Sequence, residues 1–546
     1  MSAYSKETTS QNAGNFSHQW AISKPQTESH GGIVAAQHFE AAQVGADILA
    51  RGGNAMDAAV ATAVALSVVE PWLSGLGGGG FLLHATSDGE VDTLDFNMRA
   101  PLATDLSDYP LTGGEGGDWF NWPSVEGDRN LIGPMSIGVP GTVAGLAAGL
   151  ERYGTLSWAE VTAPSVELAE RGMRVDWFAD LVFAVDTPGL TRTEAARALF
   201  LDPMRRKTDA KDPTVRHLAM PYKAAMLRRL ADAGPQDFYT GEIAAKLISD
   251  METAGSKLSA DDLAKYSPNW ASSLNAAYRD RQIHTIPGLS GGPSLLSALS
   301  TLEPIDMAQT SEAEFATYHA DAIRAAYEIR LQQMGHAAAA QDCTSHVSVV
   351  DHSGNMVSLT NTLLSRFGSK IVAPSLELVM NNAMMWFDPR PGQPNSIAPG
   401  AAPLANMTPV VTTRNGKPDI AIGAAGGRQI FPALVQLLSR LIDRGDSPEA
   451  AFHAPRIDAS SPLIIVNRAA PPNTASAVAA HHAVQISEDS LYPVLFAIPS
   501  MVQAGHGDAP NLGAVHPNNP WTAACSEGDR KTGNKVGQAS GVGGRK

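Results

Sequence analysis

Residues 54–69, NAMDAAVATAVALSVV, read as a helix with almost no polar face, which excludes a place on the surface and buries it in the core. Asn54 is suited to cap that helix. Gly52-Gly53 stops the one before it, where apolar residues recur at helical spacing through residues 42–50.

The rest of the chain supplies what must surround such a helix. DTLDFNM (residues 92–98) and FLLHA (residues 81–85) read as strands. IGVPGTVAGLAAGLERYG from residue 137 is a turn feeding a helix, WAEVTAPSVELAERG is a helix stopped by Gly172, and residues 313–333 are helical. After residue 344 the pattern changes. HVSVVDHSGNMVSLTNTLL is a strand, a Ser-Gly-Asn turn and a second strand, hence a hairpin, with Asp351 making a turn hydrogen bond. DIAIGAAGGRQIFPALVQLLSRLIDRG is a strand, a glycine turn and a long helix. Strands and helices interleave in both halves, so the fold is α with β in layers. Residues 1–30 read as a flexible leader and residues 103–135 as a long surface excursion. His481-His482 falls in an Ala-rich helix, and the tail from about residue 528 reads as disordered.

Composition narrows the function classes. The 546 residues carry a net charge of −15 with no dense Lys/Arg stripe, which argues against nucleic acid. No apolar run reaches the roughly 18 residues of a membrane span, and no signal-length run opens the chain, so the expected address is the cytoplasm. Cys343 and Cys525 make neither a disulfide framework nor a zinc cluster, and no histidines take zinc-hydrolase spacing. GLGGGG at residues 75–80 lacks the Lys-Ser/Thr of a phosphate loop and is followed by a strand, so it reads as close backbone packing.

Thr344 opens the hairpin. A threonine hydroxyl is a weak nucleophile, and one remedy is its own α-amine, whose ordinary pKa of about 7.7–8.0 suits a general base. That amine exists only once the preceding bond is broken, so a mid-chain nucleophile of this kind implies self-cleavage. Position alone leaves open the plain alternative of a β-forming threonine.

A run of motifs in fixed order bears on the choice. They are GGNAMDAAVATAVALSVVEP (residues 52–71), GLGGGGFLL (75–83), GVPGTVAG (138–145), FYTGEIA (238–244), TSHVSVVDHSGNMVSLTNTL (344–363), NNAM (381–384), PLANMTPVV (403–411) and GAAGGRQI (423–430). In these the chain resembles the gamma-glutamyltranspeptidases, N-terminal-nucleophile hydrolases that split themselves into large and small subunits. The resemblance implies an α+β fold, a four-layer αββα sandwich built jointly by two fragments, residues 31–343 after the leader and residues 344–546. It puts the scissile bond at Cys343–Thr344 and makes Thr344 the nucleophile. Thr362 matches the threonine that orients it, and Gly426 and Gly427 match the glycines whose N–H groups hold the oxyanion. It implies no cofactor and no metal, a small-molecule amide as substrate, water or an amine as acceptor, and a heterodimer of the fragments.

The substrate-binding positions depart from the family pattern. Asn97 stands for the arginine of a DFRE-like motif, with Arg99 two residues on, and Leu364 for an asparagine after the second threonine. Ala383 and Trp386 replace a glutamine and an aspartate, and Ala405-Asn406 replaces a serine pair. Losing an arginine clamp and an acidic partner removes what holds an amino acid's carboxylate and ammonium. Met384, Met385 and Trp386 suggest a more apolar acyl pocket, so the expected acyl group is not a standard gamma-glutamyl residue. Open alternatives are true gamma-glutamyl chemistry, with Arg99 and Asp388 swinging into the missing roles, a Cys343 thiol paired with His346, and an unprocessed, non-catalytic homologue.

Overall fold

The computed structural model describes residues 22–115, 123–209, 212, 215–335 and 342–528. The expected apolar helix is α2 (Ala55–Val69). Asn54 caps it, forming a reciprocal box with Asp57, and all 15 of its residues are buried. It follows α1 (Phe39–Ala50) across the Gly52-Gly53 stop.

Two antiparallel seven-stranded sheets face each other. In chain order their strands are β1 (Thr27–Ser29), β2 (Ile33–Ala36), β3 (Gly79–Ala85), β4 (Val91–Phe96), β5 (Asn269–Ser272), β6 (Leu274–Tyr278) and β7 (Arg281–Thr285). They continue with β8 (Asp342–Val350), β9 (Met356–Ser365), β10 (Val410–Arg414), β11 (Lys417–Ala425), β12 (Ile498–Gln503), β13 (Asn511–Val515) and β14 (Ala523–Ser526). One sheet runs β1-β13-β12-β11-β10-β7-β6 and the other β5-β4-β3-β9-β8-β2-β14. The hairpin β8–β9 lies at the centre of the second sheet and packs against β11 of the first.

Helices cover both outer faces. α1, α2 and α3 (Thr142–Tyr153) lie on the second sheet, the last followed by α4 (Trp158–Arg171) and α5 (Trp177–Leu190). α6 (Gly292–Leu302), α7 (Glu312–Met334) and α8 (Ile430–Ile442) cover the first. The layers are therefore αββα, with separate apolar cores under each helical layer and a third between the sheets. No helix among the described residues is long and apolar enough to cross a membrane.

Three expectations change. The chain is ordered well before residue 31: β1 adds to the edge of the first sheet, and Lys24 Nζ donates to Thr522 Oγ1 at 2.7 Å, so the leader's last residues are held by the C-terminal segment. The Ala-rich helix, α9 (Pro472–Ala479), stops short of the histidines. The His481 and His482 N–H groups donate to Val478 O in the closing turn, and both rings face Asp321. The excursion over residues 103–135 is partly anchored, since Tyr109 and Val125 are buried against Met384 and Phe387. Residues 1–21 and the tail from 529 lie outside the described residues.

Candidate active site

Thr344 sits near the start of β8 and is wholly buried. Its Oγ1 donates to Thr362 Oγ1 at 3.4 Å, the long end of a hydrogen bond. Thr362 Oγ1 accepts the Leu364 N–H at 2.8 Å. The hairpin changes register here: Cys343 pairs with Leu364 but Ser345 pairs with Asn361, so β9 carries one extra residue opposite Thr344. Such bulges bend a strand and re-aim its side chains, and they concentrate beside active sites. Leu364 pays for this one with a φ of +83°, a left-handed conformation that costs a bulky residue about 1–3 kcal/mol. Hydrogen bonds hold it there, from Leu363 N–H to Leu73 O at 3.0 Å and from Asn382 N–H to Leu363 O at 3.2 Å.

The family-like motifs converge on this hairpin end. Asn381 Nδ2 donates to Gly77 O at 2.7 Å and to Gly138 O at 2.9 Å, joining three segments far apart in sequence. Gly78 and Gly80 lie directly on β9: a Cβ at either would fall 2.1 Å from Thr362 O and 2.2 Å from Thr360 O. The glycine run is therefore a packing surface for the strand that carries Thr362.

His346, next on the same face of β8, is also buried. Its Nδ1 bonds with Thr360 Oγ1 and its Nε2 with Ser348 Oγ, both at 2.9 Å. Burial pushes the imidazole down to about 3, so it is neutral, and both nitrogens are engaged by hydroxyls.

A cavity of about 440 Å³, within the range of small-molecule sites, opens onto Thr344. Trp72, Phe178, Val182, Leu491 and Phe496 make much of its wall, Arg366, Arg428 and Asp489 bring charge to it, and the Glu70 carboxyl also lines it. Gly426 lines it too, and with Gly427 makes the turn from β11 into α8. Their φ values of +131° and +54° are open to glycine at little cost. The turn stands at the N-terminal end of α8, where N–H groups lack helical partners and the dipole is positive, an arrangement suited to a developing oxyanion.

The positions expected to bind substrate lie elsewhere. Leu364, Ala383, Trp386 and Ala405 are buried between the sheets among Met98, Met385 and Met407. Asn97 Nδ2 donates to Pro403 O at 3.4 Å, and Asn406 Oδ1 accepts from Arg330 Nη2 at 3.1 Å. Arg99 pairs with Asp95 at 2.9 Å and Asp388 with Arg390 at 2.7 Å, so each has a local partner. Among the described residues, the cavity wall includes none of these. Sequence reasoning passed over Glu70, Trp72, Arg366, Arg428 and the segment 489–496. An acid directly after a buried helix was a visible signal for Glu70; the segment 489–496 has no periodic pattern to find.

The family profile described as Gamma-glutamyltranspeptidase matches residues 41–342 and 336–498. The chain belongs to the gamma-glutamyltranspeptidase family. It is 30% identical over 482 residues to the "Glutathione hydrolase proenzyme" of Escherichia coli K12, covering 78% of this chain and 80% of that one. It is equally 30% identical, over 499 residues, to the "Acylase ACY 1 proenzyme" of Pseudomonas sp. V22, covering 84% and 87%. Among solved structures, cephalosporin acylase from Bacillus halodurans matches with a TM-score of 0.80 at 24% identity, over 94% of this chain and 99% of that one, and so shares the fold. The gamma-glutamyltranspeptidase-family chain is thus an enzyme, a hydrolase/acyltransferase on the N-terminal-nucleophile scaffold.

Proposed function

We propose that the chain cuts itself between Cys343 and Thr344 and then works as an amidase on substrates with a largely apolar acyl group. In the uncut chain Thr344 Oγ1 attacks the Cys343 carbonyl, the Cys343–Thr344 C–N bond breaks to free the α-amine as an ester forms, and water then hydrolyses that ester to release the Cys343 carboxyl. In the mature enzyme that amine takes the Oγ1 proton as the hydroxyl attacks a substrate amide. Thr362 orients the hydroxyl, and the Gly426 and Gly427 N–H groups receive the oxyanion. An acyl-enzyme forms, and water or an amine acceptor discharges it. The fragments 1–343 and 344–546 stay together as a heterodimer, because both sheets draw strands from each. β8 and β9 lie between β3 and β2, and β7 pairs with β10. Separation would leave long unpaired strand edges.

The observation that carries the acyl preference is the cavity at Thr344, walled by Trp72, Phe178, Val182 and Phe496. On the proposed reading, Asn97, Leu364, Ala383, Trp386, Ala405 and Asn406 close the other side of the nucleophile with packed side chains. Arg99 stays with Asp95, and the acyl group enters from the cavity. The second reading, gamma-glutamyl hydrolysis, draws on the relatives called glutathione hydrolases.

Two measurements test the proposal. End-group sequencing of purified protein is expected to give a chain beginning Thr-Ser-His, and Thr344→Ala is expected to stay uncut. Parallel turnover of anilides is expected to favour an apolar acyl group over gamma-glutamyl by at least about tenfold, or 1.4 kcal/mol. Faster release from the gamma-glutamyl anilide would overturn the acyl assignment while leaving the cleavage intact.

A further inference from the structure

Glu70 has no task in this chemistry, yet its placement is unusual. It caps the C-terminal end of α2, is fully buried, and among the described residues neither carboxyl oxygen has a hydrogen-bond partner. It also lines the cavity that opens onto Thr344. A buried polar group left bare in a native structure calls for a missing partner.

The course of α2 says where that partner lies. The helix begins beside the far end of β8, where the Ala55 N–H donates to Asp351 Oδ2 at 3.0 Å. From there it runs back along β8 and β9. Fifteen residues of helix span about 22 Å. The six steps of strand from Val350 back to Thr344 span about 20 Å. Helix and strand therefore end level with each other. A second tether agrees: Leu73 O accepts the Leu363 N–H at 3.0 Å and Trp72 O accepts the Phe367 N–H at 2.8 Å, at the end of β9 opposite Thr344.

We propose that Glu70 is the counter-ion of the α-amine that cleavage creates at Thr344, and thereby a positioning residue for the mature nucleophile. The inference rests on the cleavage reading above. Hydrolysis of the Cys343–Thr344 bond leaves the hydroxyl of water on the Cys343 carboxyl and a hydrogen on the Thr344 nitrogen. The Glu70 carboxylic acid then gives its proton to that nitrogen, making a carboxylate–ammonium pair. In turnover the proton returns to Glu70, the amine lone pair is freed, and it takes the proton of Oγ1. No net charge enters or leaves the cavity.

The surroundings fit. Burial alone raises the Glu70 acid well above the ordinary carboxylate range, so the uncut chain holds it neutral. The negative end of the α2 dipole favours a cation at the same place. α5 presents apolar side chains to the cavity, Phe178 and Val182 among them. The titratable and charged groups on the remaining walls are Arg366, Arg428, Asp489, Tyr492 and His516. Arg366 is paired with Asp186, and Asp489 with His516 at 3.3 Å.

The test uses Glu70→Gln and Glu70→Asp in the full chain. Glutamine matches the shape of the neutral acid, so Glu70→Gln is expected to fold and cleave as the parent does. In the parent the pair is already in its working protonation state and the acidic limb is protonation of the Glu70 carboxylate. In Glu70→Gln the amine must itself lose a proton, so the acidic limb of kcat/KM against pH is expected to move up by about one unit or more. Glu70→Asp keeps the charge and is expected to return the limb toward the parent position. An unmoved limb in Glu70→Gln overturns the proposal. So does a Glu70→Gln chain that keeps the parent melting temperature but stays uncut, which would put Glu70 in the scission itself. If the parent lacks a Thr-Ser-His terminus, the cleavage reading fails first, and end-group sequencing shows this before any kinetics.

Discussion

Gly78 and Gly75 belong to one glycine-rich run, and the structure gives them opposite tolerances. A Cβ at Gly78 would stand 2.1 Å from Thr362 O and 2.9 Å from its carbonyl carbon; at Gly75 the nearest atom is Ser67 Cβ, at 3.9 Å. Carbon–oxygen contacts settle near 3.3 Å, so Gly78→Ala must open the contact by roughly 1 Å. Gly78 cannot easily yield, because its carbonyl accepts the Gly141 and Thr142 N–H groups at 2.8 and 3.1 Å. The displacement therefore falls on Thr362, whose hydroxyl already stands 3.4 Å from Thr344 Oγ1. Overpacking of this kind costs about 1–3 kcal/mol, and a misplacement of about 1 Å at a reacting group costs about 100-fold in rate. Gly78→Ala is thus expected to slow conversion of the single chain to two fragments by about two orders of magnitude, followed by denaturing gel after synthesis. Gly75→Ala should convert within about twofold of the parent, the ordinary range for a tolerated exchange. If the two variants convert alike, fast or slow, the glycine run does not set the position of Thr362.

Thr362→Ala removes the partner of Thr344 and orphans the buried Leu364 N–H. It should lose about 1–3 kcal/mol in chemical denaturation and convert slowly, while Thr362→Ser recovers most of both. Acid stability should follow the buried histidines, since His346 and His38 are pushed down to about 3 and His319 to about 4 from an ordinary 6.5. The unfolded chain binds their protons first, so their contribution is complete above about pH 6.5 and is lost as pH falls toward 3. His346→Gln should reduce the slope of unfolding free energy between pH 6 and 4 by up to about 1.4 kcal/mol per pH unit, and an unchanged slope would refute its neutral burial. Arg330, buried in α7, donates to Ser290 O at 2.6 Å, Ala405 O at 2.8 Å and Asn406 Oδ1 at 3.1 Å. Arg330→Met should cost about 3 kcal/mol or more by calorimetry, and Arg330→Lys should recover only part, lacking the planar fork.

What could be read from the sequence was local or patterned. The burial of α2 followed from composition and its start from Asn54; the β8–β9 hairpin followed from alternation around Ser-Gly-Asn. Thr344 differs. Its hydroxyl at a strand start carries little information by itself, and the ordered motifs singled it out. The structure supplies the physical sense of those motifs, since Asn381 joins Gly77 to Gly138 and Gly78 rests on Thr362. Pairing across great separation was not legible. Nothing local tells β13 to join the first sheet and β14, a few residues on, to join the second beside β2.

The substrate side shows the same limit more sharply. The family resemblance reads Trp386 and Ala383 as standing where an aspartate and a glutamine are expected, a loss of polarity, but a lost polar group can leave either an enlarged pocket or a filled one. Packing decides between them: Trp386, Met385 and Met407 occupy the space between the sheets, and the cavity lies instead where residues 489–496 close over Thr344. Glu70 belongs to the same class of fact. Its sequence context says only that an acid ends a buried helix. What gives it chemistry is that fifteen residues of helix and seven of strand, tied together at Asp351, are matched in length, and that the acid lines the same cavity as Thr344, whose nitrogen the proposed cleavage would make basic.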